Sequence, residues 1–373
     1  MIKYLIKHLS NIPGWRTNRK IVVFESDDWG SIRMPSKKVY QKCLYAGHRV
    51  DLNPYERYDS LASKDDLELL LDLLLSYKDK YSNHPVITAN CVVANPDFQK
   101  IEYNNFNNYF YELITDTFKH YPNHSKNFNI WLEGKDKGIF YPQFHAREHL
   151  NVNKFMSALQ DDNIDIQYAF KNRMPGIISK GDGWNGNYFV QATKYNSEPD
   201  KGEKLNIYLE GLDIFKKLFG YNSLSIIPPN YIWSNNFYQP VALKGVQFIQ
   251  GVSKMCEPTI IGKDKFHKRI LGQKTNAGQI NLIRNCFFEP TLSKKNDVAD
   301  NCLSEIDIAF KMKKPAIICS HRINFVGFLN SNNRDENLLS LKKIISTILK
   351  KWPDVEFMTS DQLGKLILNK NEK

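Results

Sequence analysis

Two adjacent aspartates, Asp27 and Asp28, end a short apolar run near the start of the chain. The run, from Lys20 to Phe24, is flanked by polar residues, which predicts a buried strand. Carboxylates at the end of such a strand suggest a site, because α/β proteins collect ligands at the carboxyl ends of their strands. Adjacent carboxylates repel each other and resist burial. A cation between them, a retained proton or an ordinary solvated loop would each account for the pair.

A second pattern whose residues could do chemistry is HAREH, in which His145 and His149 follow the predicted strand 138–144. On a helical turn, two histidines four residues apart share one face and can bind one metal ion. Either histidine alone also fits a surface or capping role. Two histidines and one carboxylate form the ligand set of a catalytic zinc site with an open position for water. We therefore expect Asp28 to be the third ligand and Asp27 to be the general base.

A third candidate, His321, follows the predicted strand 315–320. Its imidazole could protonate a leaving group, although a single histidine is also common in a core or on a surface. Tyr231 likewise follows a predicted strand, at 224–227. Parallel strands would bring these two residues, the aspartates and His145 to one rim of a sheet.

Predicted strands and helices alternate along the chain, which is typical of βα units around a parallel sheet. Further strands are predicted at 86–93 and 355–358, and short strands and loops at 247–285. Helices are predicted at 35–44, 63–77, 109–120, 151–159, 204–219, 300–310 and 335–351, and a last helix is capped by Ser360. The expected fold class is α/β, with one barrel-like domain over 1–373. It would carry an N-terminal helix at 1–12 and insertions around 45–135 and 235–300.

The composition favours a soluble globular protein, because 42% of the 373 residues are hydrophobic and 24% are charged. The net charge is +11, but no Arg-rich stripe or nucleic-acid motif accompanies it. We ascribe the charge to general Lys usage and expect no nucleic-acid partner. Six scattered cysteines without a CxxC pair predict reduced thiols rather than disulfides or a zinc ribbon.

The first ten residues, MIKYLIKHLS, predict a short basic amphipathic helix with Ile2, Leu5, Ile6 and Leu9 on one face. That face could touch a membrane surface, but packing on its own domain is preferred. No signal-peptide core or run of transmembrane length occurs, so we expect a cytoplasmic protein without stable membrane insertion. The segment 181–186, GDGWNG, is interpreted as a turn rather than a ligand loop, because no clear strand precedes it.

Taken in order, these motifs resemble the polysaccharide deacetylase (NodB-homology) superfamily, in a divergent bacterial branch with ESDDWGS and HxREH signatures. The resemblance implies a distorted (β/α) barrel of the glycoside hydrolase/deacetylase type. It also implies that the first motif supplies the base Asp27 and the ligand Asp28. The second motif would supply the ligands His145 and His149, and a late motif the catalytic acid His321. The implied cofactor is a divalent metal, zinc first, with cobalt or nickel as alternatives.

The chain departs from the family pattern at several positions. Ala146 stands where the second motif has Ser or Thr, and the matching third motif, 228–231, lacks the Arg that orients the base. Arg147 or Arg284 would have to substitute for it. The family's Asp that supports the catalytic histidine has no clear counterpart, and Glu289 is the candidate. A capping or salt-bridged role is the alternative for this glutamate.

Substrate contacts are expected from five side chains. They are Trp29, Arg147, Tyr231, Trp233 and Glu289. The aromatic members would form a platform for a sugar ring, with core packing as the alternative for at least one of them. Glu25 shares a strand face with Asp27 and is expected to line the pocket or to pair with Arg33. Glu148 is expected to point away from the metal.

The expected reaction is hydrolysis of the amide of an N-acetyl sugar in polysaccharide metabolism. Zinc would polarise the carbonyl and bind the attacking water, Asp27 would take the proton of that water, and His321 would protonate the amine. Because no export signal occurs, the expected partner is a cytoplasmic carbohydrate substrate. One alternative is a glycoside hydrolase that uses Asp27 and Glu289. Another is a non-catalytic glycan-binding or scaffold barrel, which the missing third-motif Arg favours.

Overall fold

Strands and helices alternate along the described residues of the computed structural model, which are 7–121, 123–177, 189–293 and 297–371. The strands are β1 (Ile21–Trp29), β2 (Ile87–Val92), β3 (Ala94–Pro96), β4 (Tyr111–Leu113), β5 (Phe140–Ala146), β6 (Ser225–Ile226), β7 (Phe248–Gly251), β8 (Lys254–Glu257), β9 (Lys265–Lys268), β10 (Ile280–Ile283), β11 (Cys286–Phe287), β12 (Ala316–His321) and β13 (Glu356–Phe357). The helices are Lys37–Tyr45, Pro54–Arg57, Lys64–Leu75, Phe98–Tyr103, Ile114–His120, Asn127–Asp136, Val152–Gln160, Ile164–Lys171, Glu198–Phe219, Tyr238–Leu243, Val298–Lys311, Ser331–Lys351 and Ser360–Asn371.

Nine of the described strands form one curled sheet in which the pairings are parallel. Neighbours follow the order β10-β7-β6-β5-β2-β1-β12-β11, and β13 pairs with the start of β1. Two antiparallel pairs, β3 with β4 and β8 with β9, stand outside this sheet. The predicted α/β class and the curled parallel sheet are therefore confirmed. Since parallel strands end at one rim, the last residues of β1, β5 and β12 meet there with the residues that follow β6 and β10.

The segment 280–287 joins the two ends of the sheet. Its first half, β10, pairs with β7, and its second half, β11, pairs with β12. Between them, the Arg284 N–H donates to the carbonyl of Gly251 at 2.8 Å, and the Asn285 N–H donates to the carbonyl of Ile317 at 3.1 Å. The chain thus changes its partner strand at Arg284, whose side chain is fully buried.

Strand β1 is buried along its whole length, because other elements cover both of its faces. Val22 and Phe24 belong to the main hydrophobic cluster. Ile21 and Val23 pack in a second cluster with Phe248. Alternate residues therefore face opposite sides, and each side is covered, which is why the sequence shows a continuous apolar run.

Two predicted helix boundaries are confirmed by their backbone hydrogen bonds. Ser63 and Asp66 form a capping box, in which each side chain accepts the backbone N–H of the other residue at 3.3 and 2.9 Å. Gly220 ends the helix Glu198–Phe219 with φ +78°, a conformation that favours glycine, and its N–H donates to Lys216.

Two other predictions are wrong in detail. The expected helix at 109–120 is divided into β4 and a shorter helix from Ile114, because Tyr111–Leu113 pairs with β3 instead. Ser360 does not cap the last helix. Its hydroxyl donates to Glu25 at 2.8 Å, and the Gln362 N–H is accepted by the Thr359 hydroxyl at 3.2 Å.

The predicted turn at 181–186 lies outside the described residues, as do residues 1–6 of the predicted N-terminal helix. Residues 7–10 are helical, and Lys7 forms an ion pair with Glu305 at 2.8 Å. Among the helices of the described ranges, none is long and apolar enough to cross a membrane.

Candidate active site

A bulge at the end of β1 turns both aspartates toward one cavity. Adjacent side chains of a regular strand point to opposite faces. Here Asp27 and Asp28 together oppose the single residue Asn90 of β2. Asp28 has φ +72°, in the left-handed region that is costly for residues other than glycine. Backbone strain of this kind costs about 1–3 kcal/mol and is concentrated at functional sites.

The two histidines also depend on an irregular strand end. His145 is the extra residue of β5 between Phe144 and Ala146, which pair with consecutive residues of β2. Residues 147–150 form an irregular turn rather than the helical turn that the spacing predicted. The turn folds back so that the ring centroid of His149 lies 4.8 Å from that of His145. A bulged strand and a turn, not one helix face, therefore bring the imidazoles together.

Asp28, His145 and His149 converge on one point. The Oδ1 atom of Asp28 lies 3.5 Å from Nε2 of His145 and 3.6 Å from Nε2 of His149. These distances are too long for strong hydrogen bonds. Two ligands of one tetrahedral ion, each about 2.0–2.1 Å from it, are separated by about 3.3 Å. The three buried side chains therefore fit the ligand set of a single divalent ion.

The hydrogen bonds and charges around these side chains prepare them as ligands. His145 Nδ1 lies 2.8 Å from the carbonyl of Ile227, so Nδ1 donates and Nε2 keeps its lone pair. Burial lowers the pKa of His149 to about 3, which leaves its imidazole neutral. Arg33 lies 3.5 Å from Oδ2 of Asp28, the oxygen that does not face the histidines. One carboxylate and two neutral imidazoles suit zinc, cobalt or nickel.

Asp27 is held by a buried arginine. Both of its oxygens accept from Arg284, each at 2.7 Å, and Oδ1 also accepts from the Asn90 side chain at 2.8 Å. Burial alone would raise the pKa of Asp27, but Arg284 outweighs it and lowers this pKa to about 2. The carboxylate therefore stays ionised and oriented. Arg284, rather than Arg147, is the arginine that holds Asp27.

His321 lies beside Asp27 and has its own carboxylate partner. Its Nε2 is 3.7 Å from Oδ2 of Asp27, and its Nδ1 donates to Oε1 of Glu289 at 2.6 Å. Asn324 holds the other oxygen of Glu289 at 2.7 Å. Burial would lower the pKa of His321, but Glu289, Asp27 and Asp28 outweigh it and raise this pKa to about 10. These carboxylates favour the imidazolium form, which can give up a proton.

A pocket of about 310 Å³ opens onto these groups. Its lining residues are Asp27, Asp28, Arg33, Tyr55, His145, His149, Val190, Pro228, Asn230, Tyr231 and His321. The predicted metal ligands, base and acid thus share one cavity at the rim of the sheet. The cavity is wide enough for a sugar-sized ligand.

The predicted aromatic platform is largely wrong. Trp29 is fully buried and packs against Phe140, with ring centroids 4.9 Å apart. Trp233 is only 2% exposed and packs against Tyr208 at the same centroid distance. Both indoles fill the core because large apolar rings gain most from burial. Tyr231 alone of the three lines the pocket.

Arg147 does not line the pocket either, so its predicted substrate contact is not supported. Its guanidinium donates to both oxygens of Glu148, at 2.7 and 2.6 Å, and to Glu210 at 2.5 Å. Glu148 therefore points away from the candidate metal ligands, as expected, and it is buried. Arg147 needs these partners because a buried charge is costly without them.

Glu25 does not line the pocket and does not pair with Arg33. It accepts from Arg284 at 2.6 Å and from the Ser360 hydroxyl at 2.8 Å. Arg284 thus bridges Glu25 and Asp27, which share a face of β1. Arg33 pairs with Asp28 and, at 3.6 Å, with Asp59.

Three supporting residues were missed in the sequence: Asn90, Asn324 and Tyr55. Asn90 is the one strongly polar side chain in the run ITANCVV, which is a signal that could have been used. Asn324 follows His321 by three residues. The ring of Tyr55 lies edge-on to that of His321, with centroids 6.3 Å apart. No local sequence pattern predicts this contact.

Replacing Arg284 by methionine should leave Glu25 and Asp27 buried without their shared cation. We expect Arg284→Met to lower the free energy of unfolding by about 3–5 kcal/mol, measured by urea denaturation. Arg49→Met removes an exposed arginine that also holds a carboxylate, Asp51, and should unfold near the wild-type midpoint. Equal midpoints for all three proteins would contradict the stabilising role of Arg284.

Comparisons with known proteins support the fold. No protein-family model matches the chain, and no curated protein matches it. Among solved structures, a protein assigned as a glycoside hydrolase/deacetylase from Parabacteroides distasonis aligns over 95% of this chain and 72% of its own, with 12% identity and a TM-score of 0.51. This match shows a shared fold, a barrel of the glycoside hydrolase/deacetylase type.

Two further structures are similar at lower scores. A protein assigned as a polysaccharide deacetylase from Mycobacterium smegmatis aligns over 96% of this chain and 94% of its own, with 9% identity and a TM-score of 0.48. A 4-α-glucanotransferase from Thermococcus litoralis aligns over 92% of this chain, with 8% identity and a TM-score of 0.43. This chain spans 40% of the length of that transferase chain.

Proposed function

We propose that this chain is a metal-dependent hydrolase that removes the acetyl group from an N-acetylated sugar. The observation that carries the proposal is the pocket itself. Asp28, His145 and His149 offer three ligand atoms within 4.8 Å of one another, and the ionised Asp27 and the protonated His321 line the same cavity. A base and an acid beside a metal-ligand set are what amide hydrolysis requires.

The reaction divides between the metal and two side chains of this chain. A bound divalent ion would polarise the acetyl carbonyl and make a water molecule more acidic. Asp27, fixed by Arg284 and Asn90, accepts the proton of the attacking water. His321, fixed by Glu289, donates its Nε2 proton to the departing amine nitrogen. Each group has its own buried partner, so neither has to reorganise during the reaction.

The glycoside hydrolase alternative is less well supported. It needs one protonated carboxyl group as acid, opposite a second carboxylate. Arg284 keeps the pKa of Asp27 low, and both oxygens of Glu289 are occupied, by His321 and Asn324. Glu289 is not among the residues that line the pocket. The scaffold alternative loses its main argument, because Arg284 fills the place of the missing arginine.

Acetate release tests the proposal. N-acetylated oligosaccharides and N-acetylated nucleotide sugars are incubated with the purified protein, and acetate is measured enzymatically. We expect release from at least one of them, loss of release after exhaustive dialysis against a chelator, and recovery when zinc, cobalt or nickel is restored. A protein that releases acetate equally with and without metal would refute the metal-dependent mechanism.

Metal removal should also lower stability. An ion that binds only the folded protein stabilises it by about 2.7 kcal/mol at a free concentration of 100 times Kd. We expect the thermal midpoint of the metal-free protein to rise when zinc is added. A midpoint that does not respond to any of the three metals would count against a site at Asp28, His145 and His149.

Glu289→Gln should change the pH dependence of catalysis. Glu289 helps to raise the pKa of His321 to about 10, so the acid keeps its proton below that pH and loses it above. Removing the negative charge should move the basic limb of the kcat/KM profile to lower pH by about 1–3 pH units. Hydrolysis of 4-nitrophenyl acetate serves as the control, because its leaving group needs no proton. The basic limb of the kcat/KM profile for this ester should therefore not shift in the variant. An unshifted amide profile would show that His321 is not the acid.

A further inference from the structure

A two-stranded hairpin, β8 and β9 with their connecting loop, stands apart from the main sheet at the rim that carries the pocket. Two residues separate its first strand from Gly251, the last residue of β7. The Trp233 N–H donates to the carbonyl of Cys256 at 2.8 Å, and Glu257 accepts from the backbone N–H of Asn235 at the same distance. The end of β8 that leads into the loop therefore packs on the segment that follows the pocket residue Tyr231.

The loop and one strand of this hairpin expose apolar side chains. Ile261 is 91% exposed, Phe266 is 58% exposed and Ile260 is 39% exposed. All four residues of β9 are exposed. Exposing large apolar side chains to water is unfavourable, and a group of them on one protruding hairpin is typical of an interaction surface.

Basic side chains surround these apolar ones. The residues 254–268 contain four lysines, all exposed, which are Lys254, Lys263, Lys265 and Lys268. The two acidic residues of the hairpin are already paired, Glu257 with His267 at 2.7 Å and Asp264 with Lys194 at 2.8 Å. The lysines therefore give the hairpin a positive surface.

Two of the lysines lie directly opposite each other on the two strands of the hairpin. Lys254 and Lys268 are paired residues of β8 and β9. Like charges in this position destabilise a hairpin. Lys254 turns over the Phe266 ring, 4.4 Å from its centroid, which offsets part of the cost. An anionic partner would relieve the remaining repulsion.

We propose that this hairpin docks on an anionic membrane surface. Ile260 and Ile261 at its tip enter the interfacial region, and the lysines contact lipid phosphates. A lipid surface fits better than an acidic glycan, because aliphatic side chains have acyl chains as partners in a membrane but give a sugar ring no stacking face. Docking would place the pocket beside substrates presented at a membrane. The inference stands on the hairpin alone and does not require the proposed reaction.

Sedimentation with vesicles tests this inference on the full chain. We expect binding to vesicles of phosphatidylglycerol and phosphatidylcholine, and little binding to phosphatidylcholine alone. The double variant Ile260→Asn/Ile261→Asn should bind about tenfold more weakly. Lys263→Gln/Lys265→Gln should also lose about tenfold or more, at about 1 kcal/mol for each lysine. Acetate release from a soluble substrate is measured in parallel and should not change.

Matched substitutions elsewhere control for general surface effects. Leu339→Asn changes a leucine that is 67% exposed on another element, and Lys342→Gln/Lys350→Gln removes two exposed lysines. These variants should bind vesicles like the wild type. Three results would overturn the inference: no binding to anionic vesicles, equal loss in the control variants, or retention on soluble polygalacturonate that depends on the hairpin lysines but not on the isoleucines.

Discussion

Asp27→Asn is expected to lower kcat for acetate release by about 10²–10⁴-fold, the usual contribution of a positioned general base. The substitution keeps the size of the side chain but removes its ability to accept a proton. Arg284 and Asn90 would still face the new amide, so the pocket should keep its shape. Metal content, measured on the purified variant, should equal that of the wild type, because the proposed ligand Asp28 is untouched.

Glu25→Gln is the matched control for this experiment. It is the same chemical change in the other carboxylate that Arg284 holds, and Glu25 does not line the pocket. Both variants weaken the bridge through Arg284, so both should lose stability. We expect Glu25→Gln to retain kcat within about tenfold. Equal losses of kcat in the two variants would mean that Asp27 acts only by holding Arg284.

His145→Ala should remove the metal and with it the activity. Its loss leaves two of the three candidate ligands, and even changes in the residues that support metal ligands typically cost about 10–100-fold in affinity. We expect metal content to fall well below one equivalent after dialysis. The rate of acetate release should fall by about 10³-fold, which is ~4 kcal/mol of barrier.

His120→Ala provides the control for the loss of a histidine. His120 is exposed and pairs with Glu112 at 3.0 Å, away from the pocket. This variant should keep full metal content and activity. High zinc concentrations should restore part of the activity of His145→Ala, because the remaining ligands still bind weakly. Full activity of His145→Ala without added metal would exclude the proposed site.

Local sequence predicted where the reactive residues stand along the chain. Apolar runs end shortly before Asp27, His145 and His321. These ends mark strand ends, because a buried strand needs apolar side chains and a rim faces solvent. These strand ends can be predicted from the sequence because each depends on only a few neighbouring residues. The same reasoning predicted the alternation of strands and helices, and hence the parallel sheet.

Local patterns do not predict which side chains hydrogen-bond to these reactive residues. Arg284 is 257 positions from Asp27 in the chain, and Asn90 is 63 positions away. Their contacts exist because β10, β2 and β1 curl around one interior, and no pattern of nearby residues encodes that curvature. Local sequence leaves Arg147 and Arg284 as equal candidates to hold Asp27, and the change of partner strand at 280–287 places Arg284 beside it.

Errors in the sequence-based site have the same origin. Trp29 stands next to Asp28, yet it lies in the core because the bulge that turns Asp28 toward the cavity leaves the indole on the covered side. Hydrophobicity alone does not tell a buried ring from a sugar platform, since both uses favour tryptophan. Residue type and spacing determined which chemistry the chain can offer. The tertiary structure decided which side chains share a cavity, because bulges, strand order and burial set the distances and charges that make them act together.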